Sequence, residues 1–178
     1  MPSTTDTAGF GGISVIDRLM VMEEIAKYAW AWDGGDIEGY LDRYLEDGAL
    51  EHPTPDGKPG HFRGREAIRE AIAANMAGRP TNGYALQHNF SSLVLTPEGD
   101  DIQARAYCVV FRHEFHRIYW PHGPSFRMGT WHALYGRRKD GWGIKLLQVR
   151  MWTDTAFNSG TAIQNRPPGS PGVGTPFG

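Results

Sequence analysis

Two spacings of apolar residues divide the chain into a helical first part and a strand-like second part. After Ser14 the apolar positions recur at gaps of three and four residues, which is the period of a helix buried on one side. The pattern predicts a first helix from Ser14 to Gly34-Gly35, a second over 37–45 and a third over 65–77.

From residue 84 onward, apolar and polar positions alternate in the way that is typical of strands. A short strand is also predicted over 49–52, and Asp140-Gly141 is a hairpin signal. Helices followed by an antiparallel meander indicate an α+β fold rather than alternating α/β. The four long strands are predicted over 84–96, 101–115, 126–138 and 143–154.

The domain organisation follows from these elements and from the 178-residue length, which suits one compact domain. We expect a flexible N-terminus over 1–13 and a single domain over 14–157. Residues 158–178 hold five Gly and four Pro, so we expect an extended tail, either disordered or draped over a neighbouring subunit.

Composition narrows the class of protein. The 18 Lys and Arg against 20 Asp and Glu argue against a nucleic-acid-binding surface, which needs a basic excess. The chain shows neither a signal-peptide pattern nor a membrane-length apolar run, so we expect a cytoplasmic protein with no membrane partner. The single cysteine, Cys108, lies in an apolar run and is expected to be a buried, inert thiol.

Two residues stand out as candidate chemistry. Asp33 ends the first helix beside two tryptophans, where a carboxylate opposes the helix dipole. His88 alternates with Leu86 and Phe90 on one face of a strand, which predicts a partly buried imidazole. From the residues alone, a solvated carboxylate and an ordinary core histidine are open alternatives.

The later strands carry further candidates on alternating positions. Tyr107, Phe111 and His113 share one face, with His132 and Arg150 on the two strands that follow, and we expect all five to line a substrate pocket. Arg150 as a surface cation is the alternative. We expect the opposite face to pack against another subunit, through Arg105, Val110, Trp131, Ala133, Tyr135, Leu147, Val149 and Met151.

The seven histidines do not form a recognisable metal motif. His113 and His116 point to opposite faces of a strand, and the helical HExxH pattern is absent. We therefore expect neither a metal nor a cofactor.

Several segments, taken in order, resemble one known family. They are Tyr28-Ala29-Trp30-Ala31-Trp32-Asp33-Gly34-Gly35-Asp36, Tyr44-Leu45-Glu46-Asp47-Gly48-Ala49, Phe62-Arg63-Gly64-Arg65-Glu66-Ala67-Ile68, Leu86-Gln87-His88-Asn89-Phe90 and Asp140-Gly141-Trp142. Residues 14–154 are similar in this respect to the SnoaL-like branch of the nuclear transport factor 2-like superfamily, which includes scytalone dehydratase and bile acid 7α-dehydratase. The resemblance implies a cone-like curved antiparallel sheet wrapped round about three N-terminal helices, with a deep apolar pocket.

The resemblance also implies roles for individual residues. Asp33 and His88 match a hydrogen-bonded pair in which the carboxylate orients the imidazole that serves as general base. Tyr28 matches a tyrosine of the bile acid dehydratase and is expected to donate a hydrogen bond to a carbonyl or enolate oxygen. Trp32 replaces the tyrosine of scytalone dehydratase and is expected to bind the substrate. His52 takes the place of a second pocket tyrosine and is expected to donate a proton. A core role for Tyr28 and a surface position for His52 are the alternatives.

The hypothesis that joins these observations is a cofactor-independent lyase that eliminates water, or formaldehyde by carbon–carbon cleavage. Its substrate would be an aromatic or polycyclic hydroxylated molecule, such as a lignin-derived diaryl propanediol, because rings stack on rings. An isomerase or cyclase with the same residues, and a non-catalytic dioxygenase small subunit or ligand-binding protein, are the alternatives. By resemblance, we expect a homodimer or homotrimer.

Overall fold

The computed structural model describes residues 10–53, 59–76, 84–114 and 125–151, and the predicted α+β class is confirmed there. The helices in these ranges, after a short 3₁₀ turn at Phe10–Gly12, are α1 (Val15–Gly34), α2 (Ile37–Leu41) and α3 (Arg65–Met76). The strands are β1 (Tyr44–Pro53), β2 (Pro59–Arg63), β3 (Tyr84–Glu98), β4 (Asp101–Glu114), β5 (Ser125–Arg138) and β6 (Gly141–Met151).

Local signals in the sequence define both ends of α1. The Ser14 hydroxyl accepts a hydrogen bond from the backbone N–H of Asp17 at 3.0 Å, which caps the first turn. Gly35 follows the helix in the left-handed conformation, with φ at 71°. Its backbone N–H donates a hydrogen bond to the carbonyl oxygen of Trp32 in the last turn. This termination places Asp33 in the final turn, next to the start of β3.

The sheet has the strand order β2-β1-β6-β5-β4-β3 and is curved and unclosed. Strands β1 and β6 pair in parallel, and the other neighbours are antiparallel. The second helix is shorter than predicted, because Tyr44 already pairs with Ile144 as part of β1. We call the sheet face that packs on α1 the inner face, and the opposite one the outer face.

Only part of the apolar period of α1 is buried. Ile25 and Tyr28 of that period are in the core together with Val21, whereas Ile16 and Leu19 of the same period are 60% and 59% exposed. Apolar residues occupy both sides of this helix, so periodicity alone could not identify the packed side.

The outward assignment of one set of strand residues was wrong. Trp131, Ala133, Tyr135, Leu147 and Val149 are all buried in the core on the inner face. Alternation establishes which residues share a face but not which face is covered. Of the remaining residues in that set, Val110 packs partly against the core, Arg105 is exposed, and the side chain of Met151 lies outside the described part.

Some predictions fall outside the described ranges. Residues 1–9 and 152–178 are among them, so the flexible N-terminus and the Pro/Gly-rich tail stay predictions. Within the described ranges, none of the helices combines the length and apolarity that crossing a bilayer requires.

Candidate active site

Asp33 and His88 meet where the end of α1 faces the start of β3. The His88 ring Nδ1 lies 2.5 Å from Asp33 Oδ1, and the His88 backbone N–H donates to Asp33 Oδ2 at 2.8 Å. Both side chains are largely buried, with 9% of His88 and 16% of Asp33 exposed. One histidine therefore engages both carboxylate oxygens, so the ring is held in one orientation.

This contact also selects a tautomer of the imidazole. An ionised carboxylate only accepts hydrogen bonds, so a neutral His88 ring beside an ionised Asp33 would carry its proton on Nδ1, facing the carboxylate. The other ring nitrogen, Nε2, then has its lone pair available as a base.

Three aromatic rings lie close to the His88 imidazole. Tyr28 and Trp32 approach edge-on, with ring centroids at 6.5 and 6.2 Å, and Phe90 stacks at 6.3 Å. Tyr28 and Trp32 come from α1, whereas Phe90 lies two residues after His88 on the inner face of β3. The environment of the imidazole is therefore a largely apolar aromatic cluster.

Tyr28 is deeply buried in this cluster. Its ring contacts Tyr40 at 5.2 Å and Trp131 at 5.7 Å between centroids. Burial is the largest cause that raises the pKa of Tyr28 well above its ordinary value, so the phenol stays protonated and is a hydrogen-bond donor.

His52 and Trp32 extend the cluster towards β1. Leu50, two residues before His52, is buried and pairs with Leu147, which puts that side of β1 on the inner face. The His52 ring lies 6.5 Å from the Trp32 ring. Trp32 thus lies close to the imidazole rings of both His52 and His88.

Cys108 lies beside the same cluster, opposite Phe90 in the β3–β4 register. Burial, followed by the charge of Asp33, raises the pKa of its thiol to about 12. The prediction of a buried, unreactive thiol agrees with this environment.

Tyr107 and Phe111 do not join this site, and the expectation that they line the same pocket was wrong. His88 pairs with Val110, and the neighbouring positions Phe111 and Tyr107 pair with Gln87 and Ser91 on the outer face. Tyr107 is 51% exposed there. The error has the same origin as the one for β5 and β6, because the face carrying these aromatics was taken as the inner one.

His132 and Arg150 also lie on the outer face, which corrects their predicted place in the pocket. His132 pairs with Gln148 and with Arg105, and burial and then the charges of Arg150 and Arg105 lower its pKa. Arg150 lies 3.8 Å from the Glu51 carboxylate. His113 pairs through its backbone with Ala85, and its side chain lies outside the described part.

Sequence reasoning missed Tyr40 and Trp131 as parts of the site. Tyr40 is buried in α2 and lies 5.1 Å from the Trp32 ring, and Trp131 contacts Phe90 at 5.2 Å. Tyr40 lies in the segment predicted as the second helix, but nothing in the sequence places α2 against α1 at this point.

Two further observations concern possible sites outside this cluster. Across the described ranges, no three His, Cys, Asp or Glu side chains are grouped closely enough to share a metal ion; His116 of the motif considered above is not among those residues. A surface cleft of about 470 Å³ is lined by residues of α2, α3, β1 and β5 but includes neither Asp33 nor His88.

Comparisons with solved structures agree on the fold. ActVI-ORFA from Streptomyces coelicolor is similar with a TM-score of 0.63 at 21% identity, over 75% of this chain and 93% of that one. A scytalone dehydratase-like protein from Novosphingobium aromaticivorans gives 0.59 at 13% identity, over 77% and 85%. An NTF2-like protein with a cystatin-like fold from the same organism gives 0.59 at 25% identity, over 77% and 82%.

Comparison by sequence gives the family. No curated protein matches the chain. The family model of the SnoaL-like domain, in contrast, matches residues 14–148, which include the cap of α1, Asp33, His88 and most of β6. Since that match covers well over half of the sequence, this chain belongs to the SnoaL-like family.

Proposed function

We propose that the protein is a cofactor-independent lyase that eliminates water from an aromatic hydroxylated substrate. The observation that carries this proposal is the hydrogen bond between Asp33 and His88 inside an aromatic cluster. A buried imidazole that is oriented through Nδ1 and has a lone pair on Nε2 has the properties of a general base.

The elimination uses this base and a separate acid. His88 Nε2 takes a proton from the carbon beside a carbonyl, and the released electron pair forms the new C=C bond. The hydroxyl on the next carbon leaves as water after receiving a proton from His52, while Tyr28 keeps its proton and donates a hydrogen bond to the carbonyl oxygen. Asp33 stabilises the imidazolium that forms, through the Nδ1–H hydrogen bond.

The substrate class follows from the walls of the cluster. Tyr28, Trp32 and Phe90 bring three rings close to His88, which favours an aryl or polycyclic molecule that stacks on them. A lignin-derived 1,2-diaryl-1,3-propanediol suits the same chemistry. Loss of the terminal hydroxyl proton releases formaldehyde, the broken C–C bond supplies the C=C pair, and the benzylic hydroxyl leaves as water.

Two probes test the reaction class. We expect the purified protein to convert a β-hydroxy-β-aryl ketone, or a 1,2-diaryl-1,3-propanediol, into a conjugated product with a new ultraviolet absorbance band. The product mass should be lower by one water, or by one water and one formaldehyde. Treatment with EDTA should leave the rate unchanged.

The mass also discriminates against the other candidates. A product of unchanged mass would support an isomerase or a cyclase with the same base and would overturn the lyase proposal. Binding of both probes without any product would support a ligand-binding protein instead.

We also propose that the chain forms a homodimer or homotrimer in the cytoplasm. The support is the outer face of the sheet, where Val94 and Tyr107 expose apolar surface that a second copy would cover. Sedimentation equilibrium should give a mass that is two or three times the 19.8 kDa of one chain. A stable monomer at micromolar concentration would contradict this proposal.

A further inference from the structure

Arg127 lies in the same row of the inner face as His88. In the register of the sheet, His88 pairs with Val110 on β4, and Val110 pairs with Arg127 on β5. The pairing of β4 with β5 continues in unbroken register to the buried Trp131, so alternation places Arg127 and Trp131 on the same face. Val110 packs partly against the core, which agrees with this placement.

This row lies where the helical cover of the inner face ends. Asp33, in the last turn of α1, contacts His88 itself. Trp131, four residues further along β5, is buried, whereas the Arg127 side chain is exposed. The guanidinium group therefore lies on the inner face but outside the buried core, where a molecule that enters from solvent can contact it.

The charge of Arg127 is not neutralised by a carboxylate in the part of the chain that the structure describes. Arg43 and Arg138, in contrast, both lie against the Glu24 carboxylate. An unpaired guanidinium is available to an anionic group of a ligand. A carboxylate suits it best, because the planar guanidinium donates two parallel N–H bonds to the two carboxylate oxygens.

We propose that Arg127 is a substrate-binding residue that selects an aromatic substrate with a carboxylate on its ring, at the end away from the reacting carbon. The inference rests on the proposed function, because it places the reacting carbon at His88. Two strand spacings, about 10 Å in all, separate the backbones of His88 and Arg127. A benzene ring with a para carboxylate fits within that span, so one molecule can contact both side chains.

Arg105 offers a matched control on the opposite face of the sheet. It is also an exposed arginine of a central strand, and the described residues give it no carboxylate partner either. Arg105 pairs with His132 on the outer face, so the sheet separates its guanidinium from the aromatic cluster. Arg105→Ala therefore removes the same charge from the protein without changing the inner face.

The kinetic test uses two substrates that differ by one charge. They are a β-hydroxy-β-aryl ketone with a para carboxylate on the aryl ring, and the methyl ester of the same compound. We expect wild-type kcat/KM to favour the carboxylate by about tenfold, the usual effect of one charge-assisted hydrogen bond. Arg127→Ala should abolish this preference, mainly by raising KM for the carboxylate, and Arg105→Ala should keep it. High salt should reduce the preference, because it screens an exposed ion pair.

Binding of the two dehydrated products separates this inference from the proposed function. Quenching of tryptophan fluorescence gives a Kd for the para-carboxy enone and for its methyl ester without any turnover. A preference for the carboxylate that Arg127→Ala removes and Arg105→Ala keeps would support the inference even if wild-type protein converts neither ketone, in which case only the lyase proposal fails.

Three results would overturn the role of Arg127. They are equal Kd and kcat/KM values for acid and ester in the wild-type protein, an unchanged preference in Arg127→Ala, and failure of the wild-type protein to bind either enone. With the first two, formation of a dehydrated product would still support the lyase proposal.

Discussion

His88→Ala is expected to lower kcat/KM for conversion of the β-hydroxy-β-aryl ketone by about 10²–10⁴-fold, the usual contribution of a general base. The substitution removes Nε2, the nitrogen that takes the substrate proton, together with the Nδ1 contact to Asp33. The rate is followed as the ultraviolet absorbance of the conjugated product.

Asp33→Asn tests the partner of His88, because it keeps the shape of the side chain and changes only its hydrogen bonding. Asp33 accepts from both the ring and the backbone N–H of His88, and an amide has only one oxygen for two donors. An amide NH₂ facing Nδ1 would favour the tautomer with its proton on Nε2, which cannot act as a base. We expect a loss of activity approaching that of His88→Ala.

Two controls separate this effect from general damage. His61→Ala removes an exposed histidine of β2 that pairs with Glu51, and Asp36→Asn keeps the cap of α2, since asparagine caps as well as aspartate. Both should retain wild-type kcat/KM. Wild-type activity in His88→Ala would refute its assignment as the base.

Glu24→Ala is expected to lower the free energy of unfolding by about 3–5 kcal/mol, as removal of one partner from a buried ion pair generally does. Glu24 is 7% exposed in the middle of α1. Its carboxylate lies 2.8 Å from Arg43 and 3.3 Å from Arg138. The substitution leaves the guanidinium groups of Arg43 and Arg138 without their shared carboxylate partner.

Glu23→Ala is the matched control, because the two glutamates are adjacent on the same helix. Glu23 is exposed and pairs with Lys27 across the helix surface, at 2.8 Å. Its removal should change stability only slightly, since exposed pairs contribute little. Urea unfolding at pH 7 measures both variants, and equal effects would contradict the structural role of Glu24.

Much of the fold could be predicted, because local chemistry determines where elements begin and end. Ser14, Gly35 and Asp36 carry cap signals that act within a few residues, and α1 and α2 begin or end there. The change of apolar period near residue 84 predicted the long strands for a similar reason. The parallel pairing of β1 with β6 could not be predicted, because it joins segments almost 100 residues apart.

The two faces of the sheet show where sequence reasoning fails. Trp131 and Tyr107 occupy strands with equally clear alternation, yet Trp131 is buried and Tyr107 is half exposed. The covered face depends on where α1 packs, and α1 itself has apolar residues on two sides. Nothing local to either strand contains that information.

The candidate site residues also differ in whether their prediction depended on the choice of sheet face. Asp33 is hydrogen-bonded to His88, the Tyr28 ring lies beside the His88 ring, and His52 is linked to them through the Trp32 ring. The candidates on β4, β5 and β6 depended on the choice of face, and those whose side chains are described lie on the outer one. Tyr40 escaped notice because its role depends on the packing of α2 against α1.

The central claim is that His88 removes a carbon-bound proton in an elimination that requires no cofactor. The most direct measurement compares kcat/KM for the β-hydroxy-β-aryl ketone with and without deuterium on the carbon between the carbonyl and the carbinol, in the presence of EDTA. We predict a primary isotope effect together with a product that has lost one water. Turnover with no isotope effect, or with an unchanged product mass, would contradict the account.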